Sequence, residues 1–359
     1  MSQQAMERFV ERIRAATGEQ PLCPRGGGSK DFYGNAPRGE ILDTREYSGI
    51  VSYEPTELVV TARCGTPLAE IEATLAGQGQ MLAFEPPHFS ATAAASVATI
   101  GGCVASGLSG PRRATAGAVR DFVLGVKMLD GQGTPLTFGG QVMKNVAGYD
   151  VARLMTGSLG TLGLLLEISL KVLPRPPVEA TLRLEAPLDK ALELMNRWAG
   201  QPLPISATCW QDGLLTLRLS GARSAVTAAR QRIGGEALDD ADFWRDLREQ
   251  KSDFFAGDLA LWRLSLPAVA PPLALPGAQL VEWGGSLRWL KSGADPEDIR
   301  AAATQAGGHA TLFRGSDGQK TAAGVFQPLP PALLALHRKL KQSFDPRGIF
   351  NPGRMYREL

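Results

Sequence analysis

From Phe89 to Pro111 the chain carries no charged residue, a run long enough to cross a bilayer if it were apolar. It is not apolar enough. Its residues are mostly Ala, Gly, Ser and Thr, and apart from the valines Ile100 and Leu108 are its only large aliphatics, far below the hydropathy of a spanning helix. A path of side chains this small lets another object lie directly on the backbone. The stretch therefore predicts a close-packed wall for something flat or long, and excludes a membrane segment.

With 359 residues, the chain predicts two lobes, or one lobe with an insertion, each able to bury a core. Hydrophobic residues make up 44% and charged residues 21%, an ordinary globular balance that argues against disorder and fibrous classes. The formal net charge of +2 gives no footprint for nucleic acid or a membrane surface. Cys23, Cys64, Cys103 and Cys209 lie far apart without a C-x-x-C pair, the wrong spacing for zinc or an iron–sulfur cluster. No metal site is expected, and the thiols read as reduced and buried. The first residues lack the basic and apolar regions of a secretory signal, so a cytoplasmic chain is expected.

Met6, Val10 and Ile13 at helical spacing predict an opening helix that ends near Gly18. Short β-rich runs at 58–62, 121–129 and 162–173 then alternate with helical runs at 67–77 and 148–155. The prolines at 174, 176 and 177 mark a boundary, because such a cluster continues neither helix nor ladder. Beyond it a β-α-β-β-α order over 179–233 resembles a ferredoxin-like half. A helix over 243–255, strands at 259–266 and 285–290, an exposed Pro/Ala-rich loop at 267–276 and a closing helix over 330–344 complete the reading. The domains are 1–175, 176–325 and 326–359.

Three glycine-rich segments carry chemistry. Arg25, Gly26, Gly27, Gly28 and Ser29 form a nest whose bare amides suit phosphate oxygens, with Arg25 and the Ser29 hydroxyl adding to the anion site. It is neither a P-loop nor a Rossmann fingerprint. The second is the passage 99–107, with Gly101, Gly102, Ser106 and Gly107. The third, 144–163, is a helix ending in glycines that runs straight into a hydrophobic strand.

With residues 53–58, 65–68 and 351–353, these segments in this order resemble the FAD-binding domain of the vanillyl-alcohol oxidase and p-cresol methylhydroxylase family. In length and in its ending over 344–354 the chain is similar to the smaller FAD-binding subunit of bacterial glycolate oxidase; the middle, 176–325, matches only in outline. The resemblance implies an α+β, two-lobed fold: an FAD-binding domain, an α+β ferredoxin-like cap lobe, and a C-terminal segment returning to the flavin. It implies that the glycine nest and the Gly101-Gly102 turn grip the FAD pyrophosphate through backbone amides. Ser106, Gly107, Val119 and Asp121 would line the path towards flavin and ribose, Thr161, Gly163 and Ile168 the adenine side, and Asn351 would lie near the isoalloxazine ring. Ser29 stands where covalent members carry a histidine, so non-covalent FAD is expected.

The resemblance also implies a larger flavin subunit and an iron–sulfur subunit as partners, a small 2-hydroxy acid as substrate, and contact with the inner face of the membrane only through those partners. Related 2-hydroxy-acid dehydrogenases carry a histidine cluster in the cap lobe. This chain has only His88, His309 and His337. His309 with Arg314, an imidazole base and a guanidinium for a carboxylate, is the candidate catalytic pair, set in what reads as a loop. His337 reads as a surface residue, and His88 as a turn residue able to approach the flavin. Three functions follow: the FAD-binding subunit of a multi-subunit glycolate oxidase, a self-sufficient FAD-dependent 2-hydroxy-acid or alcohol dehydrogenase, or a scaffold with a vestigial flavin site.

Overall fold

The computed structural model describes residues 2–90, 97–140, 150–239 and 242–359. The chain divides into two compact units, the first made of Met1–Leu108, Ala118–Pro174 and Pro328–Leu359, the second of Ser109–Gly117 and Arg175–Gln327. The proline-marked boundary coincides with the second crossing. Ser109–Gly117, placed by the sequence in the first domain, belongs instead to the second unit.

The first unit is built on a five-stranded antiparallel sheet in the order Ile50–Glu54, Val59–Arg63, Leu164–Lys171, Val123–Leu129, Pro135–Gly139. The middle strand reads LLLEISLK and is buried at all but Glu167 and Lys171. A near-continuous apolar run of this kind requires cover on both faces of the sheet. The edge strand Pro135–Gly139 starts with a proline and alternates between exposed and half-buried residues, as an edge tolerates. Leu68, Ile71 and Leu75 give the helix Leu68–Ala76 one buried stripe. The opening helix, Ser2–Ala15, buries Ala5, Phe9 and Ile13, with Met6 and Val10 half-buried on the flanks.

Beside this sheet, Leu22–Arg25 pairs in parallel with Glu40–Asp43. The chain end adds to the same ribbon: Leu22 N donates to Ile349 O at 2.7 Å and Asn351 N to Leu22 O at 2.9 Å. Behind it, the buried Lys341 of the helix Pro331–Phe344 donates to Thr161 O, Phe350 O and Asp345 Oδ2, each at 2.7 Å. This clamp holds Asn351 against the turn at Leu159 and Gly160.

The second unit opens with Val178–Glu185, Leu188–Ala199, Ile205–Gln211, Leu214–Gly221, Arg223–Ile233 and Glu236–Ala237. Their strands lie fourth-first-third-second and all antiparallel, the ferredoxin-like arrangement. Ala278–Glu282, Leu287–Lys291, Leu261–Ser265 and His309–Arg314 extend it, in that spatial order, to eight strands. The helix expected over 243–255 is shorter. It stops at Glu249, where Gln250 turns left-handed (φ 55°), and a separate 3-10 turn covers Asp253–Phe255. The expected helix over 148–155 is described as Val151–Leu154, while the opening of that segment, 144–149, and residues 91–96 of the uncharged stretch lie outside the described residues.

Candidate cofactor site and its relatives

The strand Leu22–Arg25 delivers the glycine nest to one rim of a cleft in the first unit, with an open volume of about 830 Å³. A first wall comes from Thr99, Gly101, Gly102, Ala105 and Ser106; Leu159, Gly160 and Gly163 to Leu165 also line the cleft, Leu159 bonded to the first wall through its amide to Ala105 O at 2.8 Å, together with Asn351 and Arg354. The first wall is the described part of the small-residue stretch. A Cβ on Gly27 would overlap the Val97 carbonyl, and one on Gly26 would overlap the Thr99 hydroxyl. Only glycine lets the two backbones approach this closely.

The amides of Gly26, Gly27, Gly28 and Ser29 donate to no protein acceptor among the described residues. Arg25 reaches Asp31 through Nη2 at 2.6 Å, yet its buried Nε has no partner. Asn351 is 3% exposed; its Nδ2 donates to Leu159 O at 2.8 Å, and its Oδ1 is buried and unpaired. Buried polar atoms are ordinarily satisfied. Unused donors at a glycine nest, an unused acceptor and flat small-residue walls form a cradle that fits a pyrophosphate-bridged dinucleotide. FAD fits the residues present.

Arg354 braces this cradle. Its Nη2 donates to Asp31 O at 2.9 Å and Tyr33 O at 2.7 Å, and its Nη1 to Asn35 O. Burial pushes its pKa below the usual guanidinium range. Cys23 and Cys64 also line the cleft as free thiols, both with raised pKa, and burial takes Cys64 up to about 12.

Of the residues expected to touch FAD, the cleft gathers Arg25, Gly26, Gly27, Gly28, Ser29, Gly101, Gly102, Ser106, Gly163 and Asn351. The role expected of Gly101 and Gly102 needs correction. Gly101 N already donates to Cys64 O at 2.8 Å and Gly102 N to Thr99 Oγ1 at 3.3 Å, so these residues offer bare surface and not amides. Five others are not among the residues lining the cleft. Gly107 ends the helix Ile100–Ser106 in a left-handed conformation against Gly157. Val119 is fully buried, and the Asp121 carboxylate accepts the Ala118 amide at 2.8 Å. Thr161 donates to Ser158 O at 2.7 Å, and Ile168 is core in the central strand. Thr99 and Arg354 escaped the sequence reading. Their signals were the threonine just before the Gly-Gly pair and the arginine that closes the Asn-Pro-Gly ending.

His309 and Arg314 are the ends of one strand, not a loop. At about 3.3 Å per residue they stand roughly 16 Å apart along it, too far to act together on one small acid. Partial burial, then the Arg263 guanidinium, hold His309 below its usual pKa. His88 is buried, its Nε2 3.2 Å from Glu72 Oε2, and is not among the residues lining the cleft. His337 is half-buried with its ring on Tyr356 at 5.9 Å.

Comparison with known proteins agrees with the cradle. A family model described as an FAD binding domain matches residues 4–139, and one described as the C-terminal domain of FAD linked oxidases matches 318–355. The chain is 51% identical to the glycolate oxidase subunit GlcE of Escherichia coli (strain K12), over 98% of this chain and 97% of the relative. It belongs to the GlcE family. This GlcE-family chain is also 32% identical, over 48% of its own length and 36% of the relative, to the glycolate oxidase subunit GlcD of Bacillus subtilis (strain 168). Among solved structures, an alkyldihydroxyacetonephosphate synthase superposes with a TM-score of 0.65 at 15% identity, covering 98% of this chain and 75% of that one. That likeness establishes the shared fold. The cofactor of this GlcE-family member is FAD. Among the described residues no helix is long and apolar enough to cross a membrane, and no three metal-ligating side chains cluster.

Proposed function

We propose that this chain is the FAD-binding subunit of a multi-subunit glycolate oxidase, converting glycolate to glyoxylate beside a larger flavin subunit. Electrons would leave through an iron–sulfur subunit to a quinone, with the assembly at the cytoplasmic face of the membrane. The observation that carries this reading is the cradle. The free amides at Gly26 to Ser29, the unpaired Arg25 Nε and the unpaired Asn351 Oδ1 converge on one glycine-walled cleft.

Bound FAD supplies the two-electron acceptor that oxidation of a CH–OH group needs. The chain's own residues do the holding. The nest amides and Arg25 would hold the pyrophosphate, Asn351, on the ribbon beside Leu22, offers an acceptor, and the Thr99 to Ser106 wall gives the cofactor a bare backbone surface. The chain holds a flavin more evidently than it activates a hydroxy acid, because its candidate base and candidate carboxylate partner are separated along a strand.

The test is to purify the chain alone and together with a larger flavin subunit, and to measure flavin content and glycolate-dependent dye reduction. The expected result is one FAD per chain, with substantial turnover only in the complex. A chain that stays colourless with added FAD, or one that turns glycolate over as fast alone as in the complex, overturns the reading.

A further inference from the structure

Among the described residues that line the cleft, the charged ones are Arg25, Lys30, Asp31 and Arg354. The three cations suit an anionic pyrophosphate. Asp31 is the one carboxylate, and a fixed negative charge beside a bound anion repels it. A carboxylate in that place needs a compensating role, and its contacts supply one.

The Asp31 backbone is held from two directions. Its amide donates to Gly28 O at 3.0 Å, closing a turn over residues 28–31, and its carbonyl accepts Arg354 Nη2 at 2.9 Å. Arg354 is 7% exposed and is engaged by the carbonyls of Asp31, Tyr33 and Asn35, so it braces the turn. From this anchored position the Asp31 carboxylate takes Arg25 Nη2 at 2.6 Å. The Arg25 backbone is held as well, its carbonyl accepting the Thr44 amide at 2.9 Å and the Thr44 hydroxyl at 3.3 Å.

Between these two anchors the Arg25 guanidinium lies against Gly28. A Cβ on Gly28 would overlap Nη2, Cζ and Nε of Arg25, and Gly28 has φ 74°; glycine is required here on both counts. Nε and Nη2 are neighbouring donors of one planar fork, the kind that takes two oxygens side by side. Asp31 occupies Nη2, while Nε is buried and has no partner among the described residues. Half of the fork is tied to the protein and half is left unused at the glycine nest.

We propose that Asp31 is a positioning residue for the cofactor: it fixes the Arg25 guanidinium against Gly28 and leaves Nε for a pyrophosphate oxygen of FAD. A long side chain loses rotamer freedom when a ligand immobilises it, and the ion pair removes that loss before the cofactor arrives. The inference rests on FAD as the cofactor and is independent of the glycolate reading.

The experiment titrates the full chain, freed of flavin, with FAD and follows flavin fluorescence. The parent is compared with Asp31→Ala, Asp31→Asn, Arg25→Met and Arg25→Met/Asp31→Ala, with far-ultraviolet dichroism to check folding. Charge repulsion alone would make both Asp31 variants bind FAD more tightly. Positioning gives the opposite sign. Asp31→Ala should weaken binding about tenfold, and Asp31→Asn, which keeps an acceptor for Nη2 without the charge, severalfold. In the Arg25→Met background Asp31→Ala should cause no further loss, an outcome that a merely structural role for Asp31 would not give. Binding at parental strength or tighter in Asp31→Ala, or equal losses with and without Arg25, overturns the proposal. If Asp31→Ala fails to fold, Asp31→Asn decides alone, because affinity at or above the parent's refutes positioning. A parent that takes up no FAD overturns this proposal together with the function above, whereas a parent that binds FAD with an affinity unmoved by the Asp31 variants overturns this proposal alone.

Discussion

Replacing Lys341 by Met tests whether the chain end holds the cofactor wall in place. The Lys341 side chain is 10% exposed and that of Asp345 0%, so this ion pair is a buried one. Burial pushes the ammonium below its usual pKa, while the Asp345 carboxylate works in the opposite direction. Removing the ammonium leaves Asp345 with only the amides of Ile349 and Phe350, at 3.1 and 2.8 Å. It also takes a donor from Thr161 O and Phe350 O. Stripping one partner from a buried pair costs about 3–5 kcal/mol. At roughly 2–4 °C per kcal/mol for a unit of this size, the first unit should melt roughly 6–20 °C lower. All six tryptophans lie between 198 and 289, within the second unit, so tryptophan fluorescence follows that unit alone. The loss should therefore appear in flavin release and in far-ultraviolet dichroism, with the tryptophan-reported transition little changed. Gly160 and Asn351, the neighbours of the two deprived carbonyls, line the cleft, so FAD affinity should fall as well. Lys341→Met combined with Asp345→Asn should recover part of the stability, because no uncompensated carboxylate remains. A melting shift below about 2 °C, or an equal shift of the tryptophan signal, would refute this account.

Three further outcomes follow from the same geometry. Gly27→Ala drives a Cβ into the Val97 carbonyl and should reduce FAD affinity by on the order of a hundredfold while the tryptophan signal stays native; equilibrium flavin titration checks it, and parent-like affinity would contradict the close-approach argument. Ser29 offers no histidine for a covalent link, so acid precipitation should leave all the flavin in the supernatant. His309 is held below its usual pKa of 6.5, first by burial and then by Arg263; the unfolded chain takes that proton first, so acidification below 6.5 should destabilise the second unit, and His309→Gln should flatten the slope of tryptophan-detected melting against pH.

A phosphate-binding glycine nest and a bare small-residue path were legible from residue types and spacing; that they serve a flavin came from the resemblance of the ordered segments to a family. Three adjacent glycines after a short strand, a charge-free path of small residues and the Asn-Pro-Gly ending are features of local backbone chemistry, and local chemistry is what a sequence displays directly. The same holds for the apolar run that became the central strand Leu164–Lys171 and for the β-α-β-β-α order of the second unit. What the sequence left undecided was occupancy. Whether an amide is free depends on which carbonyl lies opposite, and for Gly101 that carbonyl belongs to Cys64 on a different segment. Thus two glycine passages of similar appearance proved to be a donor nest and a bare wall. Val119 and Ile168, which the resemblance set along the cofactor, were drawn into the core by helix and sheet packing.

The tertiary structure alone also decided where isolated charged residues ended up. His309 and Arg314, five positions apart, looked like a pair until strand geometry stretched them to opposite ends. Arg113 and Arg263 share no local pattern, yet a nine-residue excursion and a strand put their guanidiniums 4.4 and 5.3 Å from the Trp283 ring centroid. Sequence fixes distance along the chain, and it supplied the glycine nest, the small-residue path and the family resemblance that point to FAD. Packing fixes distance through space, and only packing determined which donors face the cradle and where each charged side chain came to lie.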